Sequence, residues 1–349
     1  MSRALPSTLT IALLAASAPL WQSNTTRAVS ADARSYLMGS FNLTRADVER
    51  IDRGHVFTRT LPADERREVA TIGVVRLPTS PQAYVARLKD IVHFKQDAAV
   101  LQIGIFSSSP SPVDLAALTL DESDMRNLRD CRVGRCGLRM PERTIARLQH
   151  EIDWKTSYAP QRATALFRQM LADYADAYLR SGPAAAMEYA DRAAPMNVAR
   201  EFASLAASNP DDCQQFPLLL RHLIEFPSGP RPDTSDLLYW SKERVSRRGV
   251  VSITHLAISR SAGETPVEYV IGSKQIYASH YFDASLGVTV LVGDRSAPAA
   301  ATYLVYLNRS RLDVLGGMLG GVARAIISSR ARGVVSDQLN KLQHTGAIE

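Results

Sequence analysis

The chain has 349 residues, of which 46% are hydrophobic and 22% are charged, and this excludes wholesale disorder in favour of one large globular domain or two smaller ones. Its formal net charge of +6 comes from basic residues that are scattered along the chain. Because no basic block is present, we expect no nucleic-acid partner, and the weak charge bias allows only a transient contact with an anionic membrane surface.

The first 31 residues have the three parts of a cleavable secretory signal. Arg3 supplies the positive n-region, and the apolar stretch 9–21 has the length typical of an h-region. This stretch is too short for a membrane span of ~20 residues. Cleavage after the small residues 29–31 would leave Asp32 first. We therefore expect a periplasmic or secreted protein, with a buried N-terminal helix as the alternative.

Residues 32–66 form a mobile lead-in in this interpretation. Within it, Thr44 and Asp47 predict the start of a short helix over 44–52. The β-branched residues of 68–77 then predict a strand. Ser80 and Pro81 predict the start of a helix, and a second strand is predicted over 100–106.

Two of the three cysteines, Cys131 and Cys136, lie close together in the sequence CRVGRC. Gly134 can supply the turn between them, and an exported protein folds in an oxidising compartment. No further ligand flanks the pair, so a zinc site is not expected. We predict a disulfide between these two cysteines, with Cys213 left as a buried free thiol.

The segment 141–226 changes character and predicts four or five helices, since apolar residues recur in it at helical spacing. Strands follow, and then one long helix over 313–343. Short connections between the strands favour an antiparallel sheet. In the last strand, Tyr303, Val305 and Leu307 share one face, and Leu304 and Tyr306 share the other. The predicted strands are 237–246, 250–259, 267–277, 285–293 and 302–309.

The terminal helix begins with four glycines, namely Gly316, Gly317, Gly320 and Gly321. Each glycine costs a helix interior about 1 kcal/mol relative to alanine. We expect them to allow a close approach of the helix backbone to another surface. That surface is the sheet, a partner helix, or a bound ligand at Gly317 and Gly320.

Two polar stretches carry the remaining candidates for chemistry. Residues 273–286 contain Lys274, Tyr277, His280, Tyr281 and Asp283, which could line a cavity or, as His280 with Asp283, form an oriented base. No nucleophile motif accompanies that pair, so we assign no catalytic residue. In the second stretch, Arg309 and Arg311 are expected to pair with acidic residues, and Asp313 to lie near a helix N-terminus.

No metal or nucleotide motif is present, and we expect no cofactor and no metal. The seven histidines are far apart in sequence, and none has a ligand-pair spacing. His255 lies inside a predicted strand, where a histidine is most often a hydrogen-bonded core residue or the lining of a cavity.

The order of elements resembles the START-like superfamily. A segment EVATIGVVRLPTSPQAYVARLKDIVHF, with Asp90 and Phe94 in its tail, precedes a run of strands and one long C-terminal helix. The resemblance covers about residues 67–106 and 235–344. It implies an α+β helix-grip fold, in which a curved antiparallel sheet grips the terminal helix and an apolar ligand lies between them. The domain would then span 67–349, interrupted by a helical insertion at 141–226.

This resemblance implies an exported binding or carrier protein for a lipid-like apolar small molecule. We expect the sheet, the terminal helix and the insertion to form the cavity walls. The candidate lining residues are His255, Tyr277, Tyr281, Tyr306, Gly317 and Gly320. Two alternatives stay open: a cyclase- or hydrolase-type enzyme that uses the same cavity, and a protein-interaction module that docks through the insertion.

Overall fold

Alternating apolar side chains in the second half of the chain build one large antiparallel sheet. The computed structural model describes residues 32–208, 215–230, 233–261, 265–297, 299–316 and 320–345. The strands are β1 Phe57–Thr60, β2 Glu68–Leu77, β3 Val100–Ile105, β4 Glu188–Tyr189, β5 Met196–Asn197, β6 Thr234–Val245, β7 Arg248–Arg260, β8 Val267–Ala278, β9 Phe282–Gly293 and β10 Thr302–Leu312. In the described residues the eight-stranded sheet has the order β1-β2-β10-β9-β8-β7-β6-β3, and β4 pairs with β5 separately.

Helices cover both faces of this sheet. They are α1 Ala33–Phe41, α2 Arg45–Asp52, α3 Pro81–Lys89, α4 Ile91–Phe94, α5 Glu122–Asp130, α6 Glu142–Glu151, α7 Ala159–Ser181, α8 Val198–Ala207, α9 Pro217–Glu225 and α10 Gly320–Thr345. Local signals set two of the starts, as predicted. Ser80 Oγ accepts a hydrogen bond from the Ala83 amide at the start of α3, and Thr44 forms a capping box with Asp47 at the start of α2.

The two faces of the sheet bury different groups of residues. Tyr303, Val305 and Leu307 pack with the helices α1, α2, α8 and α9 on one face. Leu304 packs with α3 and α10 on the other face. This confirms the alternation predicted for β10, which follows from the two-residue period of a strand. We call the first face the insertion face and the second the cavity face.

The terminal helix α10 packs on β1 and β2, at one side of the cavity face. A Cβ atom on Gly73 of β2 would lie 2.5 Å from Leu339 Cδ1 and 2.7 Å from Val335 Cγ1. A glycine of the strand therefore permits this close approach. The helix also begins later than predicted, because Asp313–Leu315 is a short 3-10 turn and α10 starts at Gly320. Gly317 lies outside the described residues.

The insertion occupies the chain between β3 and β6 and packs on the insertion face. Four α-helices, α6 to α9, lie in the described part of 141–226, in agreement with the predicted number. Phe167 and Leu171 of α7 are fully buried in one cluster with Ile253 and Tyr277 of the sheet. The strands β4 and β5 were not predicted, because two residues are too few to show alternation.

The N-terminal segment is part of the core, so the prediction of a mobile lead-in over 32–66 was wrong. Leu37 and Ile51 are 0% exposed and Phe41 is 1% exposed, all in the cluster beneath β2, β9 and β10. Burying one such side chain stabilises the fold by about 1.5–3 kcal/mol. These helices therefore share one core with the strands that they cover.

The predicted disulfide between Cys131 and Cys136 is present, with Gly134 at a positive φ in the turn between them. Cys131 is buried in the cluster formed by α5, α6 and α7. Cys213 lies outside the described residues. Within the ranges that the structure describes, no helix is long and apolar enough to cross a membrane.

Candidate functional site

An internal cavity of about 370 Å³ lies between the cavity face of the sheet and the helices α3, α4 and α10. Six strands, β3 and β6 to β10, contribute residues to its floor, and the helices form its walls. The residues that line it are Tyr84, Leu88, Ile91, Phe94, Lys95, Gln96, Asp97, Ala99, Val100, Tyr239, Glu243, Leu256, Ile271, Ser273, Thr289, Leu304, Tyr306, Val335, Gln338, Leu339, Lys341 and Leu342.

Most of the cavity wall is apolar because alternate residues of neighbouring strands point to the same side. Leu256 of β7, Ile271 of β8 and Leu304 of β10 belong to the cluster on the cavity face. Val335 and Leu339 face them from α10. A cavity of this size and lining falls within the range of ~300–1,000 Å³ that is common for small-molecule sites.

A charged pair lies at one end of the cavity. Lys95 Nζ donates to Glu243 Oε1 at 2.7 Å, and Ser241 Oγ donates to the same oxygen at 2.7 Å. The Lys95 ammonium also lies 5.4 Å from the centre of the Tyr239 ring, within reach of a cation–π interaction. The two charged side chains keep 26% and 31% of their surface exposed. They are therefore positioned to contact a polar group of a molecule in the cavity.

The pairing fixes the charges of both side chains. Burial acts to lower the pKa of Lys95, but the neighbouring Tyr239 and Glu243 outweigh it, and the pKa is raised. Burial acts to raise the pKa of Glu243, but the Lys95 charge and the hydrogen bonds from Lys95 and Ser241 leave it lowered. Both groups are ionised at neutral pH.

Among the predicted site residues whose surroundings the structure describes, Tyr306 is the one that lines this cavity. Burial raises the pKa of Tyr306, so its hydroxyl is neutral at neutral pH. Asn308 Nδ2 donates to that hydroxyl at 3.4 Å.

The other predicted site residues lie elsewhere. His255 and Tyr277 point to the insertion face, where His255 Nε2 lies 2.8 Å from Asp236 and the Tyr277 hydroxyl donates to the Arg139 carbonyl at 3.0 Å. Tyr281 occupies the turn between β8 and β9, with φ of 63°. Gly320 begins α10, and Gly317 lies outside the described residues.

The insertion does not form a cavity wall, which corrects our expectation. In the described part of 141–226 no residue lines the cavity, because this part of the segment packs on the opposite face. Its exposed large apolar side chains in the described part of the chain are Tyr158, at the start of α7, and Leu218, in α9. These two side chains belong to separate helices.

His280 and Asp283 do not form the pair that an acid–base mechanism would need. His280 Nε2 lies 3.2 Å from Asp124 Oδ1, in a buried contact. Asp283 instead accepts from Arg139 Nη2 at 2.7 Å and from Arg67 Nη1 at 2.8 Å. His280 therefore pairs with Asp124, and Asp283 pairs with Arg139 and Arg67.

The second polar stretch has the structural role that we predicted. Arg309 Nη1 donates to Glu68 Oε1 at 2.7 Å, and Arg311 Nη1 donates to Glu201 Oε2 at 3.4 Å. Asp313 accepts from Arg139 Nη2 at 2.8 Å, so it stabilises an ion pair next to the short 3-10 turn.

Sequence reasoning missed the charged end of the cavity. Tyr239, Ser241 and Glu243 occupy alternate positions of β6, opposite the apolar Leu238 and Trp240. That polar stripe on a buried strand was a readable signal, because a strand that buries both faces is normally apolar on both. Lys95 had no comparable signal, since its partner is 148 positions away.

Two further depressions of about 710 and 600 Å³ lie on the surface. The first adjoins the disulfide loop and the second lies between α5 and α7. They are wider than the cavity but more open to solvent, so they enclose less of a ligand.

Comparisons of this chain with protein-family models, with curated proteins and with solved structures find no match.

Proposed function

We propose that this chain is an exported binding or carrier protein for a lipid-like apolar molecule, which it holds between the cavity face of the sheet and α10. The cavity itself carries this proposal. Its largely apolar walls would remove ligand surface from water, which contributes about 25 cal/mol for each Å² of apolar area. The pair of Lys95 and Glu243 at one end would orient a ligand that has one polar group.

The order of elements supports the same proposal. From β2 the chain passes through α3 and α4 to β3. Later in the chain, the five consecutive strands β6 to β10 lead to α10. The first and last strands of this series, β2 and β10, pair side by side. This arrangement is compatible with the helix grip of the START-like superfamily, whose ligand lies between the sheet and the terminal helix.

Export is supported by the disulfide between Cys131 and Cys136, which fits an oxidising compartment. The secretion signal proposed for residues 1–31 lies outside the described residues. N-terminal sequencing of protein recovered from the periplasm or medium should find Asp32 or a near neighbour first. Met1 on exported protein would contradict this part of the proposal.

The binding function is tested by mass spectrometry of organic extracts from the purified native protein, together with two matched variants. Thr289→Phe places a ring in the cavity, whereas Thr60→Phe makes the same change at an exposed position of β1. We expect a lipid-like molecule in extracts of the native protein and of Thr60→Phe, and little or none in extracts of Thr289→Phe. Equal amounts from Thr289→Phe and native protein would overturn the proposal, and so would failure of the native protein both to co-purify with a lipid and to bind added fatty acid.

A further inference from the structure

A group of two histidines and one aspartate lies on the insertion face of the sheet, away from the cavity. His222 comes from α9, Asp236 from β6 and His255 from β7. The Oδ1 atom of Asp236 lies 2.7 Å from His222 Nε2 and 2.8 Å from His255 Nε2. One ligand atom from each residue thus lies within 4.8 Å of those of the other two.

The fold holds these side chains toward one point. In the pairing of β6 with β7, Leu238 is opposite His255 and Asp236 is opposite Ala257. Asp236 and His255 are therefore diagonal neighbours on one face of the sheet. The helix α9 packs on this face and places His222 above both.

Partners of the rings orient the nitrogen atoms. The Tyr178 hydroxyl lies 2.9 Å from His255 Nδ1, and this contact directs Nε2 toward Asp236. The ring of Phe226 lies 4.4 Å from His255 and 5.7 Å from His222, centre to centre, and forms an apolar wall. Lys274 is the cross-strand neighbour of His255. Its ammonium donates a hydrogen bond to the Leu223 carbonyl at 2.7 Å.

We propose that His222, Asp236 and His255 bind one divalent transition-metal ion, with Zn²⁺ as the best fit. Two imidazole nitrogens and one carboxylate oxygen are a ligand set that zinc accepts, and a fourth position remains for solvent. Both histidine side chains are 1% exposed, whereas that of Asp236 is 19% exposed, so water reaches the site from the aspartate side. The bound ion would tie α9 of the insertion to the β6–β7 hairpin.

Binding requires only a small movement of the ligands. Metal–ligand bonds of ~2.1 Å at tetrahedral angles place the ligand atoms about 3.4 Å apart. His222 Nδ1 is buried without a hydrogen-bond partner in the described structure, so Asp236 alone fixes this ring by hydrogen bonding. Opening this contact from 2.7 Å to about 3.4 Å takes a shift of its Nε2 atom of about 0.7 Å, which breaks no other hydrogen bond of that ring.

Zinc content and zinc affinity of the purified full chain test this site. We expect one tightly bound Zn²⁺ per chain by elemental analysis after dialysis, and no comparable binding of Mg²⁺ or Ca²⁺, which prefer oxygen ligands. Asp236→Asn and His222→Gln should each weaken Zn²⁺ by about 100-fold or more, since loss of even an outer partner costs 10–100-fold.

His93→Gln is the matched control, because His93 pairs with Asp90 at an exposed position of the surface. Its zinc affinity should equal that of the native protein. Co²⁺ in place of Zn²⁺ should give the visible absorption of a tetrahedral site in native protein and in His93→Gln only. The proposal is overturned if native protein binds less than one Zn²⁺ at micromolar concentration, or if folded Asp236→Asn binds it equally well. In either case the three side chains form a hydrogen-bonded structural group.

Discussion

At the scale of single residues, Gly73 shows how a missing side chain sets the distance between two elements. It lies in the middle of β2, where glycine normally weakens a strand. Its hydrogen faces Val335 and Leu339 of α10, and these two residues also line the cavity. Gly73 therefore determines both how closely the helix packs and how the cavity is closed on that side.

We predict that Gly73→Ala lowers the free energy of unfolding by about 1–3 kcal/mol, the usual cost of overpacking a core. The added Cβ atom would lie 2.5 Å from Leu339 Cδ1 and 2.7 Å from Val335 Cγ1, so these side chains or the helix that carries them must shift. Gly39→Ala in α1 is the control, because nothing lies within 4 Å of its added atom. That change should raise stability by up to about 1 kcal/mol. Denaturant unfolding of both variants measures the difference, and equal stability gains would contradict the close contact at Gly73.

The pair of Lys95 and Glu243 makes stability depend on pH. The pKa of Glu243 in the folded protein lies below its ordinary value of 4.5. The ionised Glu243 therefore contributes fully to the free energy of unfolding at pH values above its pKa in the unfolded chain. This contribution is lost as the pH falls through the lower pKa of Glu243 in the folded protein.

We predict that Glu243→Gln lowers the free energy of unfolding by roughly 1 kcal/mol at pH 7. The difference from native protein should begin to shrink below about pH 4.5, the ordinary pKa of a glutamate, and should be lost below the lower pKa of Glu243 in the folded protein. Unfolding at a series of pH values tests this, with Glu49→Gln at an exposed position of α2 as the matched control. A difference between native and Glu243→Gln protein that does not change with pH would refute the electrostatic role.

At the scale of elements, the disulfide loop connects α5 to the start of α6. The loop lies against the segment before β5, since the Gly134 amide donates to the Ala190 carbonyl at 2.8 Å and the Cys136 amide donates to the Asp191 carbonyl at 2.9 Å. The disulfide that closes this short loop lowers the conformational entropy of the unfolded chain. For a loop of this size, the lower entropy stabilises the folded protein by about 2 kcal/mol.

We predict one free thiol in unfolded, unreduced protein and three after reduction, since the chain has three cysteines. The double variant Cys131→Ala, Cys136→Ala should have a free energy of unfolding about 2 kcal/mol lower than that of native protein. Reduced native protein should have the same free energy of unfolding as the variant. Three thiols without reductant would show that the bond does not form.

At the scale of the whole molecule, the sheet separates two sets of packing partners. The insertion and the N-terminal helices cover one face, and α3, α4 and α10 cover the other. A ligand in the cavity contacts β6 to β10 and α10 together. It should therefore stabilise the fold as a unit.

We predict that a fatty acid present at ~100 times its Kd raises the free energy of unfolding of the native protein by about 2.7 kcal/mol. Thr289→Phe should show little or no increase, because the ring occupies the ligand volume, while Thr60→Phe should respond like native protein. Thermal unfolding with and without the fatty acid makes this measurement. An equal increase in Thr289→Phe would place the ligand outside the cavity.

The sequence by itself determined the strands β2, β3 and β6 to β10 and the fold class, because side chains of period two and a late amphipathic helix are local signals. It also determined the caps at Thr44 and Ser80 and the pairing of Cys131 with Cys136, whose partners lie within a few positions.

Only the tertiary structure decided on which face the insertion packs, and it thereby turned His255 away from the cavity. It also brought Lys95 to Glu243, and His222 to Asp236 and His255. Such contacts depend on strand order and helix docking, which bury residues from distant parts of the chain together. The free energy that selects them is spread over the whole core, so no local pattern encodes it.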